Sequence, residues 1–206
     1  MNWIMFFSIN TIPYRIYKLK EEDSIVLKSK SNNNIAIILE GIILLVKNFH
    51  NKESLPIAVL GGNHIIEQTK TNRSYYQIIA LKETYIIITT KSFLYSNKIK
   101  KHYLICILDY YRKTLTEYEK TIEIINQKNI KKRIVLLMLS LFLKFGVFNK
   151  SKLTISFTAS TKFIAKMIGT KESTVIKILK SVDYINIEKG KKKQIYFINT
   201  KNFKLI

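Results

Sequence analysis

The sequence predicts an α+β chain in three consecutive parts: a strand-rich first half folded as a β-sandwich or roll, one long amphipathic helix, and a winged helix-turn-helix. Three observations carry that prediction. Residues 14–90 hold seven short runs rich in Ile, Val and Tyr, an unbroken heptad runs from Leu104 to Ile125, and residues 161–180 read as two short helices around Gly169. The corresponding boundaries are 1–98, 99–128 and 129–206.

The strand runs are YRIYKL (14–19), SIVLK (24–28), IAIILE (35–40), IILLVKNF (42–49), LPIAVL (55–60), YYQIIAL (75–81) and TYIIITT (84–90). Their β-branched and aromatic side chains suit a pleated, half-buried surface, and Asn, Ser, Gly or charged residues bound each run. Gly41 separates two of them, at a tight turn that requires a positive φ. From about residue 99 the period changes. Leu104, Leu108, Tyr111, Leu115, Tyr118, Ile122 and Ile125 alternate spacings of four and three, the seam of a coiled coil. Lys113, Glu117, Lys120 and Glu123 charge both edges, so the seam is expected to join two copies of the chain. Asn129 is expected to open a more hydrophobic helix through Phe145, closed by Gly146 at its C′ position. LTISF (153–157) reads as a strand. Ser160 is an N-cap for TKFIAKMI, and Thr170 for a second helix from Lys171 to about Val182. Residues 184–199 read as a hairpin whose turn, around Gly190, carries Lys189, Lys191, Lys192 and Lys193.

Composition bounds the function. An apolar fraction of 47% with 2 Pro and 6 Gly excludes a disordered or collagen-like chain. The formal charge of +21 favours a polyanionic partner. Part of that excess reflects codon bias: 36 Ile, 31 Lys and 16 Asn stand against 5 Ala and 4 Arg, as in an AT-rich genome such as a plastid's. Distribution is the better guide. Residues 129–206 hold 16 Lys, Arg133 and three acids, a net of +14, whereas residues 1–128 carry a net of +7. The single Cys106 rules out a disulfide framework, a multi-Cys zinc site and a Cys-ligated iron–sulfur cluster. His50, His64 and His102 have no metal-ligand spacing, and no nucleophile–base pair, carboxylate dyad or phosphate loop is present, so no enzymatic activity is expected. MNWIMFFSIN lacks the basic start and cleavage site of a secretory signal. IVLLMLSLFL (134–143) is half the length of a membrane span. A soluble protein of a plastid, or of an AT-rich bacterial cytoplasm, is expected, without a membrane partner.

The chemistry is concentrated in TKFIAKMIGTKESTVIKILK (161–180). Ala165 at the fifth position lets the two helices cross closely, and Gly169 at the ninth supplies the left-handed turn. Ile164, Ile168, Val175 and Ile178 are expected to lock them together. That turns Lys171, Glu172, Ser173, Thr174, Lys177 and Lys180 towards a major groove. Ser160, Thr161 and Thr170 lie at the helix starts, and Lys191, Lys192 and Lys193 form a basic wing for phosphates.

The order of parts, with KKRIVLLMLSLFLKFGV (131–147) and LTISFTASTKFIAKMIGTKESTVIKILK (153–180), resembles the CRP/FNR family of transcription regulators, and within it the NtcA nitrogen-control branch of cyanobacteria and red-algal plastids. The resemblance implies a cyclic-nucleotide-binding-like β-roll, a dimerisation helix and a winged helix-turn-helix. It further implies a homodimer on a palindromic promoter site that recruits or blocks RNA polymerase. Departures from the pattern qualify this. Glu172 stands where the family has a guanine-reading Arg, and a carboxylate can only accept, as from cytosine N4. Lys177 replaces a second Arg and loses its planar fork. In the sensor half, VLGGNHIIEQTKTNRSYYQIIA (59–80) is shorter than the family's anion cradle, and Ile66 occupies its Gly position. Arg73 is the candidate anion-binding residue. On the long helix the Arg that binds 2-oxoglutarate in NtcA falls on Thr114, leaving Arg112 and Glu119 as candidates. The expectation is a degenerate effector pocket with neither cyclic nucleotide nor 2-oxoglutarate as cofactor. The competing reading is a non-specific basic protein for nucleic acid or anionic surfaces.

Overall fold

The computed structural model describes residues 1–27, 34–67, 74–94, 99–149, 152–183, 185–189 and 194–199, with the backbone alone over 186–189 and 194–197. In chain order the elements are α1 (Trp3–Ile9), β1 (Tyr14–Leu19), β2 (Ser24–Leu27), β3 (Asn34–Glu40), β4 (Ile43–Phe49), β5 (Ser54–Leu60), β6 (Ile65–Glu67), β7 (Ser74–Ala80) and β8 (Thr84–Thr90). Then follow α2 (Lys91–Leu94), α3 (Lys101–Ile125), α4 (Ile130–Phe145), β9 (Gly146–Asn149), β10 (Lys152–Ile155), α5 (Thr161–Ile168), α6 (Glu172–Lys180), β11 (Asn186–Lys189) and β12 (Gln194–Asn199). The chain divides into two compact units, Met1–Glu119 and Lys120–Ile206. No helix among the described residues is long and apolar enough to cross a membrane.

In the first unit two antiparallel four-stranded sheets, ordered β1-β8-β3-β6 and β2-β7-β4-β5, form a β-roll. The period-two alternation of strands separates two cores. Ala36, Ile38, Ile66 and Ile86 join Leu45, Leu60 and Ile78 of the other sheet in one cluster. Their neighbours Ile35, Ile37, Ile65 and Ile87 face the opposite way, into a cluster with α1 and the first half of α3. The β1-β8-β3-β6 sheet is therefore covered on both faces, which is why IAIILE reads as a continuous apolar run without polar alternation.

Gly41 has a φ of +101°, and a Cβ there would lie 2.3 Å from Thr84 Oγ1 and 2.5 Å from the Glu83 carbonyl. The left-handed turn expected at this position is present. α1 was not apparent in the sequence pattern. Asn2 caps it by accepting from the Met5 N–H at 3.2 Å, and Trp3, Phe6 and Phe7 are buried against Tyr14, Tyr103 and Tyr110. The apolar start thus serves as a core helix. Cys106 is half-buried at the edge of the same cluster, the place of a small hydrophobe.

In the second unit Asn129 caps α4 as expected, accepting from the N–H groups of Lys131 and Lys132. The end of α4 differs from expectation: Gly146 has φ −71° and ψ 138°, extended backbone, and starts β9 instead of closing the helix in the left-handed region. A Cβ there would stand 2.2 Å from the Phe142 carbonyl and 2.7 Å from Leu153, so close packing is the reason for glycine. β9 joins a third antiparallel sheet, β11-β12-β10-β9, and α4 packs on α5 and α6.

Candidate nucleic-acid interface and effector region

α5 and α6 form the helix-turn-helix. Ser160 caps α5 by accepting from the Phe163 N–H at 3.0 Å. Gly169 ends it at φ +72° and ψ 45°, and its N–H returns to the Ala165 carbonyl. A non-glycine residue would be strained in that left-handed geometry. The residue before α6 is Lys171, without a side-chain cap, so the expected capping by Thr170 is not made. Thr170 lies in the turn, half-buried, its N–H also bonded to the Ala165 carbonyl. Ile164, Ile168 and Val175 are buried as expected, but Leu179, at 1% exposure, completes the interior while Ile178 is half-buried. Position 179 follows Val175 by one helical turn and shares its face more closely than 178.

Ser173, Ile176, Lys177 and Lys180 form the exposed stripe of α6, with Thr174 half-buried beside it. Thr161 lies elsewhere than expected. It is 5% exposed and its hydroxyl donates to the Glu172 carboxylate. Glu172 is exposed yet leans back onto the first turn of α5. Ser160 and Lys171 are exposed. Lys191, Lys192 and Lys193 lie outside the described residues, although β11 and β12 form the hairpin they connect. Ile176 was missing from the expected surface because an apolar residue in an amphipathic helix is read as core.

In the roll the expected effector positions are differently occupied. Thr114 is 2% exposed; its oxygen accepts from the Ile65 N–H at 3.1 Å and its hydroxyl donates to the Tyr110 carbonyl at 3.0 Å. Tyr118 packs into the cluster between the sheets, and burial, with Tyr76 nearby, pushes its hydroxyl well above the ordinary value of 10.0. Ile66 is fully buried in that cluster. Arg112 and Glu119 are both exposed, and Arg73 lies outside the described residues. Glu67 pairs with the Lys91 ammonium and accepts from the Tyr111 hydroxyl at 3.3 Å. His64 is buried with Nδ1 3.0 Å from the Gly61 carbonyl, a structural role. A cleft of about 510 Å³ opens between β1, β2 and β8, lined by Arg15, Tyr17, Ile25 and Thr90 among others, and none of the expected effector residues reaches it. Among the described residues no three metal-ligating side chains converge.

No protein-family model matches the sequence. A curated relative, the HTH-type transcriptional regulator ycf28 of Porphyra purpurea, is 24% identical over 204 residues, covering 94% of this chain and 82% of its own. Among solved structures, TTHB099 of Thermus thermophilus, a CRP-family transcriptional regulator, superposes with a TM-score of 0.70 at 12% identity, over 90% of this chain and 93% of that one. TTHA1359 of the same organism, a CRP/FNR-family regulator, gives 0.64 at 15% identity over 91% and 95%. CprK complexed with OCPA gives 0.66 at 20% identity over 94% and 89%. The chain has the CRP/FNR fold.

Within that fold the heptad of α3 divides in two. Leu104 and Tyr111 pack at the edge of the α1–α3 cluster and Tyr118 at the edge of the inter-sheet one. Ile125 is half-buried. Leu108, Leu115 and Ile122, spaced seven apart, stand 59%, 56% and 57% exposed. The seven seam residues thus serve two faces. One half belongs to the chain's own roll, and the other is an unpartnered apolar stripe flanked by Arg112 and Glu119.

Proposed function

We propose that the chain is a homodimeric DNA-binding transcription regulator of the CRP/FNR type. The observation that carries this is the recognition helix α6, set by Gly169 and presenting Ser173, Lys177 and Lys180 outward from the most basic part of the sequence. Lys171, Thr174, Ser160 and Thr170 add contacts at the helix starts, and the lysines of the wing turn bind phosphates. Two copies join through Leu108, Leu115 and Ile122, because a row of exposed leucine and isoleucine at seven-residue spacing fits a second copy of the same row. The dimer then reads two half-sites about one helical turn apart and acts on RNA polymerase.

The finer reading is NtcA-like control of nitrogen-related promoters in a plastid, supported by the sequence pattern over 131–180, the codon bias and the relative from Porphyra purpurea. The roll acts as scaffold, because Thr114, Ile66 and Tyr118 occupy positions an anion-binding cradle would need. Fluorescence anisotropy with a GTA-type palindrome and its scramble, over a salt series and with 2-oxoglutarate, tests the whole reading. The expected result is preference for the palindrome, unchanged by 2-oxoglutarate, with a salt slope reduced when Lys191, Lys192 and Lys193 become alanine. Equal binding to every duplex overturns specific regulation in favour of a non-specific basic protein.

A further inference from the structure

We propose that Ile176 reads thymine C5-methyl groups at the centre of the recognition helix, so that the preferred half-site presents thymine there. The inference rests on α6 being the DNA-reading helix. Positions 173, 176, 177 and 180 share one face, and that face is exposed. Three of its members, Ser173, Lys177 and Lys180, are polar, as a solvated or DNA-facing surface requires. Ile176 sits among them with 37% of its surface exposed. A β-branched residue on an open helix face adds neither helix propensity nor burial, so its stabilising contribution must come from whatever covers that face.

In a major groove the apolar partner available to such a side chain is the methyl group of thymine. The cationic neighbours Lys177 and Lys180 anchor the helix to phosphates or guanine acceptors on either side. Glu172 leaves this role open. Its carboxylate accepts from the buried Thr161 hydroxyl and leans towards α5, away from the position of a base-reading side chain. Discrimination therefore moves one turn along the helix, from a charged residue to an apolar one.

The test starts with selection from a duplex library carrying a randomised core, followed by anisotropy on the recovered duplex and on versions with single thymines replaced by deoxyuridine, which lacks only the methyl group. For the unmodified protein, affinity is expected to fall about fourfold for each methyl that Ile176 covers. Ile176→Ala should bind the thymine and uracil duplexes alike, while Ile176→Val keeps most of the discrimination. Thermal melting verifies that all variants are folded, as expected for a partly exposed side chain. An enriched duplex bound equally with thymine or uracil overturns the role of Ile176 and leaves specific DNA reading intact. The same holds if Ile176→Ala keeps the full thymine preference. A library that yields no sequence bound better than a scramble overturns the DNA-reading function itself.

Discussion

The roll and the helix-turn-helix direct their polar side chains in opposite senses. In the roll, Thr84, Thr114 and His64 are buried and bonded to backbone groups, and Glu67 is held by Lys91 and Tyr111. On α6, Ser173, Lys177 and Lys180 are exposed, and Glu172 alone turns inward to a partner. Buried, satisfied polar groups rigidify a scaffold; an exposed row of donors is available to a ligand. By this contrast the first unit has become a support whose interior has no unused polar group at the positions an effector would need, whereas the second keeps its surface chemistry open.

Glycine replacement gives the largest contrast. Gly41→Ala must place a Cβ within 2.5 Å of backbone at a φ of +101°, and should cost about 3–5 kcal/mol in urea unfolding. Gly169→Ala meets nothing within 4 Å at a φ of +72°, so about 1 kcal/mol is expected from the left-handed backbone alone. Equal losses would show that the turn of the helix-turn-helix is as tightly packed as the roll.

The two faces of α3 come next. Tyr118→Ala should remove about 2–3 kcal/mol of stability by opening space between the sheets, with dimerisation intact. Leu115→Asp with Ile122→Asp should leave the roll's thermal unfolding nearly unchanged while sedimentation shifts to a monomer and palindrome binding weakens. A double variant that sediments as a dimer would move the interface elsewhere. Tyr118 also sets a pH dependence. Its hydroxyl is raised in the folded chain, so its contribution is fully present below about pH 10 and is lost as pH rises above that, when the unfolded chain alone ionises. Tyr118→Phe should make stability fall less steeply there, and an unchanged slope would place the loss on Tyr76 or Tyr110, which are raised in the same direction.

A smaller effect belongs to Thr114. Thr114→Val keeps shape and leaves the Ile65 N–H without its acceptor, for about 1–2 kcal/mol in chemical unfolding. Thr114→Ser should restore most of it. If valine were neutral, the hydroxyl would be incidental, and the view that this position has changed from ligand contact to structural bond would fail.

The strands were legible because Ile, Val and Tyr runs are short and bounded by turn residues, and α3 because its heptad is unbroken. β6 is three residues long and fell below that pattern. α1 was misread because an N-terminal apolar run carries no periodicity strong enough in seven residues to reveal its buried face. For the site, Ser160 and Gly169 announced themselves by residue type, since capping and left-handed geometry are local. The partner of Glu172 was not legible, because Thr161 lies eleven residues away on the other helix. Nor was the division of the α3 seam, because a heptad fixes which residues share a stripe and not what covers each part of it.

The smallest expected effect bears most directly on the reader. Glu172→Ala removes the acceptor of the buried Thr161 hydroxyl, at about 1 kcal/mol of stability, and takes a negative charge off the DNA-facing helix. Binding to every duplex should then strengthen at low salt, the gain shrinking as salt screens the removed repulsion. Glu172→Gln separates the two roles: it retains an acceptor for Thr161, so stability stays near that of the parent, while the affinity gain is kept. A carboxylate that read cytosine N4 would behave otherwise. Both variants would then lose preference at one base pair of the half-site, and affinity for the selected duplex would fall while that for a scramble rose. Competition between the selected duplex and single-base variants at that pair distinguishes these outcomes. Uniform strengthening assigns Glu172 to the join between α5 and α6, and a loss confined to one position returns it to the reading surface.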